Sequence, residues 1–259
     1  MKKRYLFFDI DGTLVAGGYG NSYIPESTKL ALKKLEEAGH FLCISTGRSQ
    51  AMAYDLMQEM HFHNMVSDGG YGITLNDELF GITPLNRDDV IALIDECKEK
   101  NYIWAIQPEN SCTRFAPDER FYDFTHDVYM ETKVVEGLDP RNYDVLYKAY
   151  VACFYPDEFK LESLKKLPWC RFHKEYFFVE PGDKAFGIKK IMDHFHADYK
   201  DAIVFGDALN DMTMFIKDWT CVAMGNAVDA LKEKADFITK GVTEDGIYYA
   251  CEQLGLFEE

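Results

Sequence analysis

Long hydrophobic runs and paired cysteines are both missing from this 259-residue sequence. No apolar run approaches the ~18 residues that a membrane-spanning helix needs, so we expect no membrane segment. The N-terminal apolar stretch is too short for a signal peptide, and Asp9 interrupts it. The seven cysteines are odd in number and include no CxxC pair. We therefore expect reduced thiols in a cytoplasmic protein.

Positive charge is also scarce, because 28 lysines and arginines stand against 44 aspartates and glutamates, for a formal net charge of −16. Proteins that bind nucleic acid need a basic footprint, and anionic membrane surfaces attract basic segments. The composition therefore argues against both partners. A small phosphorylated molecule is compatible with it, provided that a cation or a well-placed lysine supplies local positive charge. The oligomeric state is left open.

Strand and helix patterns alternate at both ends of the chain. Short apolar runs that predict strands alternate with helical periodicity at residues 5–8, 26–38, 41–45, 49–60 and 65–66. The alternation returns after residue 181, with helices predicted at 184–196, 210–216, 227–234 and 245–254 between further short strands. This order predicts a Rossmann-like parallel sheet with crossover helices, in the α/β class.

The middle of the chain has a different pattern. Residues 84–180 are rich in aromatics and strand-like runs, with helices predicted at 88–100 and 157–167. Such a mixture favours an α+β unit with an antiparallel sheet. We therefore predict a discontinuous first lobe, residues 1–83 and 181–259, into which residues 84–180 are inserted as a separate α+β lobe.

Two carboxylates end the first predicted strand. Asp9 and Asp11 lie two positions apart in DIDG, so both side chains face the same side of an extended segment. The same DxDG pattern opens calcium loops, but the positions that need Gly and Glu are Leu14 and Gly20 here, which rules that motif out. A polar strand end followed by a turn remains the plain structural interpretation. A metal-assisted catalytic site is the functional one.

Two more segments follow strands in the same way, and a third opens a helix of the same lobe. STGR at 45–48 and GDALND at 206–211 each follow a predicted strand, and Lys184 opens a helix, where a cation opposes the helix dipole. Each segment alone has an ordinary explanation, such as helix capping or surface polarity. Ligands bind at the carboxyl ends of strands in open α/β sheets, so these segments are expected to converge. Together they supply carboxylates, a hydroxyl, an amide and a lysine, which are the groups that phosphoryl transfer requires.

The sequence resembles the haloacid dehalogenase superfamily of phosphohydrolases, and within it the Cof-type phosphatases with a C2-type (type IIB) cap. The resemblance rests on DIDGT at 9–13, STGR, the Lys184 segment, GDALND, MGNA at 224–227 and EDG at 244–246. It covers the whole chain. It implies that residues 1–83 and 181–259 form the catalytic core and that residues 84–180 form a cap domain, which would close over the site and select the substrate. One departure is Asp68-Gly69-Gly70, where the family often has an Asn-Gly-Ala-like turn, so substrate contacts of that turn are not carried over.

The resemblance implies roles for four aspartates. Asp9 would be the nucleophile that forms an aspartyl-phosphate, and Asp11 would be the acid and base that serves the leaving group and then water. Mg²⁺ would be held by Asp9, by the backbone carbonyl of Asp11 and by Asp207. Asp211 would support the metal from the same site.

The resemblance also implies a binding site for the transferring phosphoryl group. Thr46, Gly47, Lys184 and Asn210 would hold that group. Arg48 would either approach the substrate or brace its loop, and the sequence leaves both open. A bare carboxylate is repelled by a phosphate dianion, so Mg²⁺ and lysine are needed to offset the charge.

The expected function is a Mg²⁺-dependent phosphatase acting on small phosphorylated metabolites, such as sugar phosphates. Two alternatives stay open. A phosphomutase would use the same aspartyl-phosphate, and a non-catalytic metabolite-binding protein could be built on the same fold. The intact set of Asp9, Asp11, Lys184 and Asp207 argues against the second alternative.

Overall fold

The computed structural model describes residues 2–18, 21–171 and 173–257. The chain divides into two compact units. The first comprises Met1–Arg48, Ala53–Gly81 and Asp183–Glu259, and the second comprises Ser49–Met52 and Ile82–Gly182. A catalytic role for the first unit and a capping role for the second stay predictions.

The strands of the two units, in chain order, are β1 (Tyr5–Phe8), β2 (Phe41–Ser45), β3 (Met65–Ser67), β4 (Gly72–Leu75), β5 (Glu78–Ile82), β6 (Ile103–Gln107), β7 (Thr113–Ala116), β8 (Glu131–Val134), β9 (Lys148–Ala152), β10 (Trp169–Cys170), β11 (Tyr176–Val179), β12 (Ala202–Gly206), β13 (Thr220–Ala223) and β14 (Phe237–Ile238).

The α-helices are α1 (Glu26–Glu37), α2 (Gln50–Glu59), α3 (Arg87–Glu99), α4 (Arg120–Thr125), α5 (Lys184–His194), α6 (Asp229–Lys232) and α7 (Gly246–Gln253). Across residues 2–18, 21–171 and 173–257, none of the helices is long and apolar enough to cross a membrane.

The first unit is built on an eight-stranded sheet in the order β14-β13-β12-β1-β2-β3-β4-β5. The strands from β14 to β3 are parallel, and β4 pairs with β3 in the antiparallel direction. All four residues of β1 are buried, because the side chains on both faces of this central strand pack into the apolar core of the first unit. This sheet confirms the predicted α/β class. It also places the carboxyl ends of β1, β2 and β12 at one edge.

The second unit is built on a six-stranded sheet in the order β10-β11-β9-β6-β7-β8. Its pairs are antiparallel except β7 with β8. Alternate side chains separate two apolar clusters, as the period of a strand requires. Trp104 and Val151 join one cluster with α3, while Ala105 and Tyr150 join the other with Phe121 of α4. This is the α+β architecture that the middle block predicts.

Two of the predicted helices are wrong. Residues 157–167 form two 3₁₀ turns, Asp157–Lys160 and Ser163–Lys166, separated by an extended Leu161. The buried leucines of this segment are three positions apart, which suits a 3₁₀ period better than an α-helix. Residues 210–216 likewise begin as a short 3₁₀ turn, Leu209–Asp211. There the Asp211 carboxylate bonds backbone amides of its own loop, which competes with helix formation.

Candidate active site

Asp9 follows the first strand and lies in the interior of the first unit. β1 ends at Phe8, and the Asp9 amide still donates to the Phe205 carbonyl at 3.0 Å, so the residue is anchored to β12. The Asp9 side chain is only 6% exposed. The next carbonyl, that of Ile10, accepts from the amides of Leu14 and Val15, which closes a tight turn. Asp11 lies on this turn, and 64% of its side chain is exposed.

A buried lysine joins two of the carboxylates. The ammonium of Lys184 lies 2.6 Å from Asp9 Oδ1 and 2.6 Å from Asp211 Oδ1. Lys184 is the first residue of α5, which Asp183 caps by accepting from the Phe186 amide. A cation in the first turn of a helix is unfavourable, and a buried cation needs paired anions. The two carboxylates supply that pairing.

The loop after β12 brings two further carboxylates to the same place. Asp211 is fully buried, and its Oδ2 accepts from the amides of Asp207 and Ala208 at 2.9 and 3.0 Å. Carboxylate oxygens of Asp9, Asp207 and Asp211 all lie within 4.8 Å of one another. Three carboxylates from the ends of two adjacent strands therefore lie together, and two of them, Asp9 and Asp211, contact the Lys184 ammonium.

The crowding of negative charge changes the acidity of these groups. Burial raises the pKa of Asp9 to about 7, and the charge of Asp211 adds to that rise while Lys184 opposes it. Burial likewise raises the pKa of Asp207 to about 6, against the hydrogen bond from Thr13. The pKa of Lys184 is raised although burial works against it, because Asp211 and Asp9 both stabilise the ammonium. Lys184 is thus held in its charged form. Its single positive charge does not balance the negative charges of the carboxylates around it.

The loop after β2 carries the residues expected to hold phosphate. Thr46 is 2% exposed, its amide donates to Val66, and its hydroxyl accepts from the Arg48 amide at 3.2 Å. Gly47 follows as a half-buried residue. Arg48 Nη2 lies 2.8 Å from both carboxylate oxygens of Asp11. The loop is therefore tied to the turn that follows β1.

The structure brings four of the expected residues into one cluster, and it joins Asp11 to Arg48 in a separate pair. Asp9, Lys184, Asp207 and Asp211 are in direct proximity. Asn210, expected to hold phosphate, is an exposed residue of the 3₁₀ turn after β12, and its buried neighbour Asp211 is the one that contacts the lysine.

Two residues that hold the site together were not singled out from the sequence. The hydroxyl of Thr13 donates to Asp207 Oδ1 at 3.0 Å. Asn226 donates to the Gly12 carbonyl at 2.9 Å and accepts from the Val242 amide at 2.8 Å. Both lie within recognised segments, DIDGT and MGNA, and MGNA begins directly after β13. That placement at a strand end was the available signal for Asn226.

Comparison with known proteins shows the family of this chain. A profile of haloacid dehalogenase-like hydrolases matches residues 6–251. YkrA of Bacillus subtilis, a protein with a provisional phosphatase name, is 34% identical over 271 residues, and the match covers all of both chains.

Solved structures show the same likeness. A hypothetical protein from Geobacillus kaustophilus HTA426 has a TM-score of 0.85 and 29% identity, over 99% of this chain and 100% of that one. The subclass IIB sugar phosphatase BT4131 has a TM-score of 0.76 and 26% identity, over 98% and 100%. Both the sequence profile and the full-length structural matches thus point to one group of enzymes. The chain belongs to the haloacid dehalogenase-like hydrolases, as a Cof-type phosphatase.

Proposed function

We propose that this phosphatase is Mg²⁺-dependent and hydrolyses small phosphorylated metabolites, such as sugar phosphates, through an aspartyl-phosphate on Asp9. The observation that carries the proposal is the buried Asp9 carboxylate, held 2.6 Å from the Lys184 ammonium beside two further carboxylates. An ordinary surface carboxylate has no need of such a setting. A nucleophile that must approach a phosphate dianion does, because the lysine fixes its position and offsets part of the repulsion, and the further carboxylates can hold a cation that offsets more.

The donor set fits a magnesium ion. Carboxylate and carbonyl oxygens are the ligands that Mg²⁺ prefers. Burial, and to a lesser extent the charge of neighbouring carboxylates, raises the pKa values of Asp9 and Asp207, and a bound cation would oppose both effects. We assign Asp9, Asp207 and the backbone carbonyl of Asp11 as the metal ligands. Asp211 supports them, since its Oδ1 contacts Lys184 and its Oδ2 accepts two backbone amides. When bound, Mg²⁺ would neutralise charge on the transferring phosphoryl group.

The chain's own residues then divide the reaction into two steps. In the first, an oxygen of Asp9 bonds to phosphorus while the bond to the leaving oxygen breaks, and Asp11 donates its proton to that oxygen. In the second, Asp11 accepts a proton from water, the water oxygen bonds to phosphorus, and the bond between phosphorus and Asp9 breaks. Lys184 holds Asp9 throughout, and Thr46, Gly47 and Lys184 bind the phosphoryl oxygens. Asn210 would join them from the exposed turn.

The substrate class is supported by a relative rather than by a contact in this chain. The structurally similar BT4131 is named a sugar phosphatase. A phosphomutase would leave isomerised sugar phosphate, whereas a phosphatase releases inorganic phosphate in proportion to substrate consumed. Measuring both products over a panel of phosphorylated metabolites, ranked by kcat/KM with Mg²⁺, separates these activities. Undetectable turnover across the whole panel would favour the non-catalytic alternative.

Replacing the nucleophile tests the mechanism directly. We expect Asp9→Asn to abolish phosphate release from a generic aryl phosphate, because an amide cannot form the acyl phosphate. The matched control is Asp201→Asn, another buried aspartate of the first unit, which pairs with Arg4 at 2.9 Å. The control should keep its activity. Continued turnover by Asp9→Asn would refute the assignment of the nucleophile.

A further inference from the structure

The expected acid and base, Asp11, is held by an arginine on the neighbouring loop. A single nitrogen of Arg48, Nη2, lies 2.8 Å from both Oδ1 and Oδ2 of Asp11. The two side chains are 29% and 64% exposed, so water can reach the pair. A carboxylate offers about four acceptor positions, two on each oxygen. The arginine uses one on each oxygen and leaves the others available to water.

The backbone beneath Arg48 is fixed from two sides. Its amide donates to the Thr46 hydroxyl at 3.2 Å, and its carbonyl accepts from the Asp68 amide at 2.8 Å. The Gly69 amide also donates to the Thr46 carbonyl at 3.3 Å. The guanidinium therefore reaches Asp11 from an anchored base, which lowers the entropic cost of holding the pair.

The turn that provides this anchor has an unusual backbone. Asp68, Gly69 and Gly70 have φ values of 51°, 62° and 111°, three left-handed residues in succession. A Cβ on Gly70 would lie 1.9 Å from the Asp183 carbonyl oxygen, directly before Lys184. The turn is thus packed between the Arg48 loop and the start of α5. Strained backbone of this kind persists where the surroundings over-determine it, often at functional sites.

The pairing suits only one of the two steps assigned to Asp11. In the first step Asp11 must carry a proton to give away, and a protonated carboxyl has little attraction for a guanidinium. Once that proton has gone to the leaving oxygen, Asp11 is an anion, and Arg48 can hold it. The contact of Arg48 with both oxygens of Asp11 therefore suits the carboxylate form that the second step uses.

We propose that Arg48 is a positioning residue for the second step: it holds the Asp11 carboxylate so that water is deprotonated and attacks the phosphorylated Asp9. The inference rests on the proposed function. In this step one O–H bond of water breaks and its proton passes to Asp11. The water oxygen bonds to phosphorus, the bond from phosphorus to the Asp9 oxygen breaks with its electron pair returning to Asp9, and inorganic phosphate leaves.

Transient kinetics of Arg48→Ala test this role. With p-nitrophenyl phosphate and Mg²⁺, we expect a burst that approaches one molecule of p-nitrophenol per enzyme molecule. The steady-state rate that follows should be about tenfold to a hundredfold lower than in the wild type, which is the size of loss expected when a catalytic group is misplaced. Acid quenching should trap an acyl phosphate that hydroxylamine cleaves. Because breakdown of that species would limit turnover, kcat should become the same for aryl phosphates with different leaving groups.

Two further variants make the result specific. Arg48→Lys keeps the positive charge and should restore part of the second-step rate. Arg4→Ala removes another Arg–Asp pair of the first unit and should leave the balance of the two steps unchanged. A proportional loss in both steps of Arg48→Ala, with no trapped phosphoenzyme, would overturn the inference while leaving the phosphatase intact. Wild-type protein that never forms a hydroxylamine-labile phosphoenzyme would instead overturn the proposed function, and this inference with it.

Discussion

Replacing Lys184 by methionine should destabilise the fold, not only the reaction. Lys184 is 1% exposed, and its partners Asp9 and Asp211 are 4% and 0% exposed. Methionine fills much of the same volume but leaves two buried carboxylates without their ammonium partner. Breaking a buried ion pair by removing one member costs about 3–5 kcal/mol. We expect a loss of that size in the free energy of unfolding, measured by urea denaturation and circular dichroism in EDTA.

The loss should also depend on pH in a defined direction. Lys184 lowers the pKa of Asp9, which burial raises to about 7. Without the lysine the folded state of the variant keeps a proton on Asp9 to higher pH than the wild type does. The unfolded chain has lost that proton already, so the folded variant becomes less stable as pH rises. The difference from wild type should therefore grow above pH 7, by at most about 1.4 kcal/mol per pH unit.

A second lysine on the same helix gives the control. Lys189 pairs with Asp218 at 3.0 Å, but both side chains are about 40% exposed. Exposed pairs contribute roughly 0–1 kcal/mol, so Lys189→Met should have little effect at any pH. The reasoning is refuted if Lys184→Met loses no more stability than Lys189→Met, or if its loss does not change between neutral and alkaline pH.

Two smaller predictions concern a glycine and a histidine. Gly12→Ala should lower kcat about a hundredfold, because the new Cβ would lie 2.2 Å from Asp207 Oδ2 and displace that carboxylate. The measurement is steady-state phosphate release. His40 should make the fold less stable as pH falls below 6.5, since burial lowers its pKa in the folded state and the unfolded chain binds the proton more readily. The measurement is the urea midpoint between acid and neutral pH.

Each of these two predictions has a second variant that tests its stated cause. Gly39 has a φ of +80°, close to the +85° of Gly12, but a Cβ there would meet nothing within 4 Å. Gly39→Ala should therefore cost about 1–2 kcal/mol of stability with activity kept. His40 accepts from the Arg4 amide and contacts the Leu256 carbonyl at 2.6 Å. His40→Asn should be less stable at neutral pH, with a shallower fall toward acid. Equal slopes would contradict the assignment to His40.

The carboxylates of the site were predictable because their positions follow from sheet geometry. Asp9 and Asp207 come directly after buried apolar runs, and parallel strands end at one edge. The contacts of Lys184 followed less directly, since an unfavourable cation at a helix start only indicates that partners exist. Which partners it has depends on packing between segments 175 positions apart, and no local pattern records that.

Other features could not be predicted from the sequence, for physical reasons. The role of Thr13 depends on one hydroxyl rotamer toward Asp207, and that of Asn226 on a bridge between Gly12 and Val242. Neither contact has a periodic signature. The helix predicted at 157–167 was wrong because its buried leucines are three positions apart, a spacing that suits a 3₁₀ period better than a helical one. Tertiary burial, rather than propensity, decided between the two.

The order of the strands has a consequence for how the enzyme is made. β1 is synthesised first, yet one of its two neighbours is β12, with Tyr5 opposite Ala202. Chains emerge from the ribosome N-terminus first, so β1 must wait with one edge unpaired, a state in which strands tend to aggregate. The Asp9 carboxylate meets its ammonium partner only after most of the polypeptide exists. Translation that stops before β12 therefore yields five of the eight strands, without Asp207 and Asp211.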